Sequence, residues 1–195
     1  MRAGQEDQNS NVKVAQWLAQ ASRGDEAAWQ SLVEEFAPRI FGLLRAQRID
    51  ADLAEELTQS VFATLVEKLA GYTEQGQFEA WIFRVAMNRL RDEMRRRSRH
   101  AKTGSDDGIA TAKSTGMAGE GYRTVEESQV AALEGAMAEL SRADREIVDL
   151  RHTAGLSFKQ IAELLKEPVG TLLARHHRAL ARLRETIEVR AKRRG

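Results

Sequence analysis

FEAWIFRVAMNRLRDEMRRRSR, residues 78–99, is the stretch on which the reading of this chain turns. Taken as a helix, it places Trp81, Ile82, Val85, Ala86, Leu90 and Met94 at steps of three and four, one apolar stripe. Arg84, Asn88, Arg91 and Arg95 recur at the same steps on a different face. One helix then has an anchoring side, on which Trp81 is expected as core, and a cationic side carrying an amide. Such a side can lie along a phosphate backbone while one polar group reaches a base. A solvated arginine face gives the same pattern, so the flanking sequence must decide between them.

Upstream, Leu53, Leu57, Val61, Leu65 and Leu69 stand four apart, reinforced by Ala54, Phe62 and Val66, with Glu55, Glu56, Gln59 and Glu67 opposite. This predicts an amphipathic helix with a leucine core face. Before it, Asp25 caps a helix carrying Ala28, Trp29, Leu32, Val33, Phe36, Ile40, Phe41 and Leu44, with Pro38 expected to kink it or break it near Ala37. Another helix is expected to begin near Val12 and to use Val14, Trp17 and Leu18. Residues 1–11 are polar and read as a disordered tail.

Downstream, residues 100–124 are rich in Gly, Ser, Thr and Ala without apolar period, and read as a flexible linker. A second domain, 125–195, follows. Val130, Leu133, Met137 and Leu140 suggest one helix. Ser141 caps the next, which should end at Gly155, and Ser157 to Gln160 form a capping box opening a short helix. After a turn with Pro168, an arginine-rich helix is expected from Thr171. A short helix, a tight turn and a longer basic helix make a helix-turn-helix, whose second helix enters the major groove. The fold class expected is therefore all-α: two small helical domains, 12–99 and 125–195, joined by the linker.

Composition agrees. Hydrophobic content of 42% supports packed cores, and the net charge of +1 hides a segregated distribution. Arginine crowds into 84–99 and 175–194, whereas acidic residues crowd into the first seventy positions. The absence of cysteine excludes disulfides and thiolate metal sites. No apolar run approaches a membrane span, and no secretory signal opens the sequence, so a cytoplasmic protein without membrane insertion is expected. His100, His152, His176 and His177 form no metal-ligand motif, and neighbouring histidines on a helix diverge by about 100°. No metal, cofactor or catalytic residue is expected.

The two halves together resemble sigma factors of the extracytoplasmic-function (ECF) group. DEAAWQSLVEEFAPRIFGLL and AEELTQSVFATLVEKL look like the start and the polymerase-docking part of sigma region 2. GQFEAWIFRVAMNRLRDEMRRRSR is similar to the part that opens and reads the −10 element. ALEGAMAELSRADREIVDLRHTAGLSFKQIAELLKEPVGTLLARHHRALARLRE looks like region 4, which reads the −35 element.

The resemblance implies roles. Glu55, Glu56, Leu57, Gln59 and Phe62 would dock on core RNA polymerase. Tyr72 to Gln77 match the loop that holds a flipped base. Asn88, Arg91 and Asp92 match the −10 helix, which Arg84 and Arg95 extend. The −35 set would be Ser157, Lys159, Thr171, Leu173, Arg175, Arg178 and Arg182. Leu173, His176 and Lys166 depart from the family's usual basic, apolar and glycine residues, and Ala174 stands where a small residue, often serine, is usual. Because Leu172 fits the inner stripe with His176, Ala179 and Leu183, Leu173 should face outward. The implied partners are core polymerase, promoter DNA and, as a candidate, an anti-sigma factor; the protein itself would not be an enzyme. A helix-turn-helix regulator without sigma activity is the rival reading; it explains 130–184 but gives the basic helix at 78–99 no task.

Overall fold

The computed structural model describes residues 2–72, 76–102 and 125–192. The chain divides into two compact units, Met1–Lys113 and Ser114–Gly195. Among the described residues every regular element is helical: α1 (Arg2–Ala21), α2 (Glu26–Ala46), α3 (Ala51–Leu69), α4 (Phe78–Lys102), α5 (Val125–Glu139), α6 (Arg142–Val148), a π-helical turn (Asp149–Thr153), α7 (Phe158–Leu165) and α8 (Val169–Lys192).

In the first unit α2 packs on α1, α3 and α4, and α3 packs on α4. Its helices start where the sequence supplies caps. Asp25 accepts the N–H of Ala28 at 3.0 Å and Asp50 that of Leu53 at 2.7 Å, each satisfying a donor the first turn leaves open. Gly24, at φ +86°, reverses the chain after α1, and the Trp29 indole donates to the Ala21 carbonyl across that corner at 3.1 Å. Leu32, Phe36, Ile40, Leu43, Leu44, Leu65, Phe78, Ile82 and Phe83 are fully sealed from water, and the Phe36 and Phe78 rings meet edge to face at 5.2 Å. Each such side chain contributes roughly 1.5–3 kcal/mol by burial.

The structure changes several of the sequence expectations. The polar stretch 1–11, read as a disordered tail, is helical from Arg2. Once Val14, Leu18 and Ala21 anchor the last turns, adding residues at the other end needs no new nucleation. α2 runs unbroken across Pro38, which sits on its exposed side. Val33, placed in the core stripe, is exposed. α4 continues to Lys102, so the domain edge expected at residue 99 falls inside it; residues 103–124 of the expected linker lie outside the described residues.

In the second unit α8 is the central strut, against which α5, α6 and α7 pack. Ile147, Leu150, Leu156, Ile161 and Leu172 are fully buried beneath the helix-turn-helix, while Ala136, Leu140, Val148, Ala179 and Leu183 join α5 to α8. Val130 and Leu133, expected inside, are exposed, because the inward turn of α5 uses Ala136 and Gly135 instead. The Arg190 guanidinium occupies the space a β-carbon at Gly135 would fill and is held there by Glu139 at 2.6 Å.

α7 opens with a complete capping box, Ser157 with Gln160, and closes on Lys166 in the left-handed region at φ 57°. That is where the family's usual glycine would sit without strain. α8 begins at Val169, two residues before the expected Thr171, because the Pro168 carbonyl already accepts the N–H of Leu172 at 3.2 Å.

Candidate nucleic-acid and polymerase interfaces

On α3 the polar residues face outward. Glu55, Glu56 and Gln59 are exposed, and the Gln59 amide donates to Glu55 at 3.3 Å. Phe62 is half-buried one turn further on, and beyond it Ala63 and Val66 stand in water, Val66 at 60% exposure. An acidic end therefore grades into an apolar end along one helical face. Leu57 does not belong to it. At 6% exposure it sits in the core with Leu53, Val61 and Leu65, so it can support this surface but cannot form it. The strict four-residue leucine spacing already carried that signal.

On α4, Arg84, Asn88, Arg91, Asp92 and Arg95 are all exposed along one side. Arg91 donates to the Asn88 side-chain oxygen at 2.7 Å, which orients the amide with its NH₂ outward, and Asp92 lies 3.8 Å from Arg95. The opposite side is occupied by Ile82, Phe83, Ala86, Met87 and Leu90. Phe83 and Met87 were missing from the expected stripe, and Met94 is exposed. Not every arginine is on the outward side. Arg89 donates to Thr64 at 2.9 Å, and Glu93 takes Arg96 at 2.7 Å and Arg97 at 2.8 Å. The Arg96 hydrogen bond holds the Glu93 carboxyl below its usual range against the opposing pull of burial.

Trp81 is half-buried rather than core. Its ring contacts Tyr72 at 5.6 Å and Phe78 at 5.8 Å, and Tyr72 meets Phe78 at 5.9 Å. Phe78 is the buried footing; Tyr72 and Trp81 make a shelf above it. Trp81 is seven residues before Asn88, two helical turns, so the shelf and the amide share one flank of α4. Gln77, exposed, accepts the first N–H of this helix from Trp81 at 2.9 Å. Thr73 to Gln75, within the loop expected to hold a base, lie outside the described residues.

In the second unit Leu172 is fully buried and Leu173 is 46% exposed, as their spacing requires. Thr171, Arg178 and Arg182 are exposed on α8, and Lys159 is exposed on α7. The Ser157 hydroxyl is engaged in its cap, accepting from Gln160 at 3.3 Å. Arg175, expected as a base reader, is engaged within the protein. It is bound through both terminal nitrogens to Glu167, at 3.2 and 2.8 Å, and lies half-buried against the turn. It follows Leu173 by two residues, about 200° round the helix, so the two cannot face one groove floor. The side of α8 opposite Leu172, Ala179 and Leu183 instead carries Ala174, His177, Arg178 and Ala181, all exposed. His177 is the residue the sequence reading missed. Half a turn from the buried stripe was the available signal.

Beneath the motif, Asp149 is buried. Burial pushes its carboxyl from 3.8 up to about 6, Arg145 pulling it down and Glu146 raising it. The folded value is the higher one. Asp149 therefore favours folding fully below 3.8, and that favour is lost as pH rises through about 6. Asp149→Asn should raise the stability of this unit at pH 8, by up to an order of 2–3 kcal/mol and read as a higher melting temperature, and do little at pH 4. His176 acts in the other sense. Burial, then His152, Arg151 and His177, lowers its value below 6.5, so its contribution is lost as pH falls. Both chains carry it, so it cancels in the difference between their melting curves at the two pH values.

Residues 32–100 match the family Sigma-70 region 2, and residues 131–183 match Sigma-70, region 4. The ECF RNA polymerase sigma factor RpoE of Cereibacter sphaeroides is 30% identical over 173 residues, covering 88% of this chain and 93% of its own. Among solved structures, CnrH in complex with the cytosolic domain of CnrY superposes with a TM-score of 0.65 at 21% identity, over 91% of this chain and 98% of that one. The sigma factor RpoE bound to the anti-sigma factor NepR, from Bartonella quintana, gives 0.63 at 23% identity, over 83% and 97%. These two establish likeness of fold.

Proposed function

The chain belongs to the ECF group of sigma-70 RNA polymerase sigma factors, and from that premise we propose which surfaces carry each part of its work. It binds core RNA polymerase and promoter DNA and directs initiation. The exposed face of α3, from Glu55 through Gln59 and Phe62 to Val66, docks on polymerase. The outward face of α4 with the Tyr72–Trp81 shelf engages the −10 element as it opens. α8 enters the −35 major groove with its outermost side. Polymerase supplies the catalysis; this chain supplies promoter choice, in the cytoplasm. No described helix is long and apolar enough to cross a membrane. An anti-sigma factor would be expected to compete for the α3 face.

The observation that carries this assignment is the aromatic shelf and outward amide on one flank of α4. A helix-turn-helix regulator reading duplex DNA has no use for them, whereas a protein that must hold an extruded base does. The decisive experiment is transcription in vitro with core polymerase and a random promoter library. Defined start sites preceded by two common elements are expected. Duplex binding without any stimulation of core would instead favour the regulator.

The same assay ranks the residues of α8. Arg178→Ala should cost about 1–3 kcal/mol at one or two −35 base pairs. Leu173→Lys should add a donor at the groove and change the preferred bases. Arg175→Ala should lower the melting temperature, by loosening the turn from Glu167, more than it alters base preference. A larger loss of base discrimination for Arg175→Ala than for Arg178→Ala would reverse the assignment of faces.

A further inference from the structure

Two imidazoles from different elements meet beside the recognition helix. His152 lies in the π-helical turn and His176 on α8, and their Nε2 atoms are 3.0 Å apart. The rings lie nearly end to end, 21° from parallel with centroids 5.2 Å apart, and the Phe158 ring of α7 meets His176 edge-on at 5.1 Å. His152 is exposed and His176 half-buried, so the pair is backed on one side and open to solvent on the other.

The separation fits a hydrogen bond with one ring donating. Two imidazoles sharing one cation, with nitrogen–metal bonds of about 2.0–2.1 Å, would keep this separation at an angle of about 90–97° at the metal once each ring turns its lone pair off the line between the nitrogens and toward the ion. A full tetrahedral angle needs the nitrogens only about 0.3–0.4 Å further apart, within reach of a small rotation of the exposed His152.

We propose that His152 and His176 form a two-histidine clamp for one divalent cation of the zinc, copper or nickel class, fastening the π-helical turn to the recognition helix. Paired imidazoles suit these borderline cations, whereas magnesium and calcium require oxygen ligands. Among the described residues no third His, Cys, Asp or Glu completes a larger set, so water fills the remaining positions. Binding is accordingly weaker than at a closed four-ligand site. Arg151, which donates to the Leu156 carbonyl at 2.9 Å and lies over Phe158, and His177 on α8 both oppose the added charge. They further limit the affinity, which makes the clamp a reversible brace. His177 itself diverges from His176 by about 100° and takes no part as a ligand. The clamp depends on neither polymerase nor promoter, so its test is separate from that of the sigma assignment.

The test is titration calorimetry of zinc chloride into the full tag-free chain after chelator dialysis, with magnesium chloride in parallel. One zinc per chain is expected, with no magnesium heat. His152→Ala and His176→Ala should each remove the zinc isotherm, while His177→Ala and His100→Ala keep it. Circular dichroism checks that each variant is folded, and His152→Gln, an exposed and conservative change, guards against loss by unfolding. Saturating zinc should also raise the melting temperature of the parent chain but not that of His152→Gln. No zinc binding by the parent chain, or a full isotherm retained by a folded His152 or His176 variant, overturns the clamp and leaves a hydrogen-bonded pair.

Discussion

Gln59→Lys combined with Phe62→Asp is expected to weaken binding to core RNA polymerase by about 2 kcal/mol or more, roughly thirtyfold, with no loss of folded structure. The two positions sit where the acidic end of α3 passes into its exposed apolar end, beside Glu55 and Val66. The first substitution brings a positive charge to a face whose polar groups are acidic. The second puts a carboxylate where an aromatic ring would be covered. Neither residue is in the sealed core, so thermal melts should stay close to those of the parent. Leu57→Ala, five residues before Phe62 but on the core side of α3, should do the reverse. It opens a cavity in the core and costs about 2–5 kcal/mol of stability, affecting docking only through unfolding. Pull-down with core polymerase alongside melting curves separates the two classes. Unchanged pull-down for the double surface variant would remove α3 from the docking assignment.

The second large effect is expected at promoter opening. Asn88→Ala with Trp81→Ala removes the outward amide and half of the shelf. Base stacking on an aromatic ring and a well-placed amide contact are each worth about 1–3 kcal/mol, against an extrusion cost of a few kcal/mol. Losing both should therefore reduce open complex by roughly thirtyfold or more while leaving core binding intact. Permanganate reactivity of −10 thymines on a target promoter reads this directly. Trp81 is half-buried, so a Trp81→Phe variant, which keeps the packing against Phe78, should retain most of the opening. Normal opening with both residues replaced by alanine would exclude this flank from the mechanism.

The helical architecture was legible because leucines at four-residue spacing and acidic or hydroxyl caps each act within a single turn. Asp25, Ser141 and Ser157 all cap where the sequence put them. The faces of the helices were less legible. α4 has two apolar stripes side by side, Trp81–Val85 and Phe83–Met87–Leu90, and periodicity cannot say which meets the neighbouring helix. The structure gives the second to the core and leaves the first at its rim. Pairings between elements were not legible at all. Glu167, which restrains Arg175, stands eight residues away in a turn, and His152 lies 24 residues from His176. The sequence offered His176 beside His177, a pair whose directions diverge. The engagement of Arg175 by Glu167 was hidden for this reason, while the outward placement of Leu173 followed from the helical repeat alone.

Glu93 has a consequence for how the protein responds to its ionic surroundings. Seven arginines lie between positions 84 and 99, and a ligand-counting estimate would credit all of them with displacing counterions from a single strand, a slope of about −5 in log affinity against log salt. Arg96 and Arg97 share the Glu93 carboxylate of the same helix, Arg97 also lies 3.9 Å from Asp50, and Arg89 is turned toward Thr64. The outward stripe delivers Arg84, Arg91, Arg95 and Arg99, for which the slope is about −3. By internally compensating part of its own cationic charge, α4 makes its grip on the opened strand less sensitive to osmotic swings than its arginine count suggests, and leaves a larger share of that grip to stacking and to the amide.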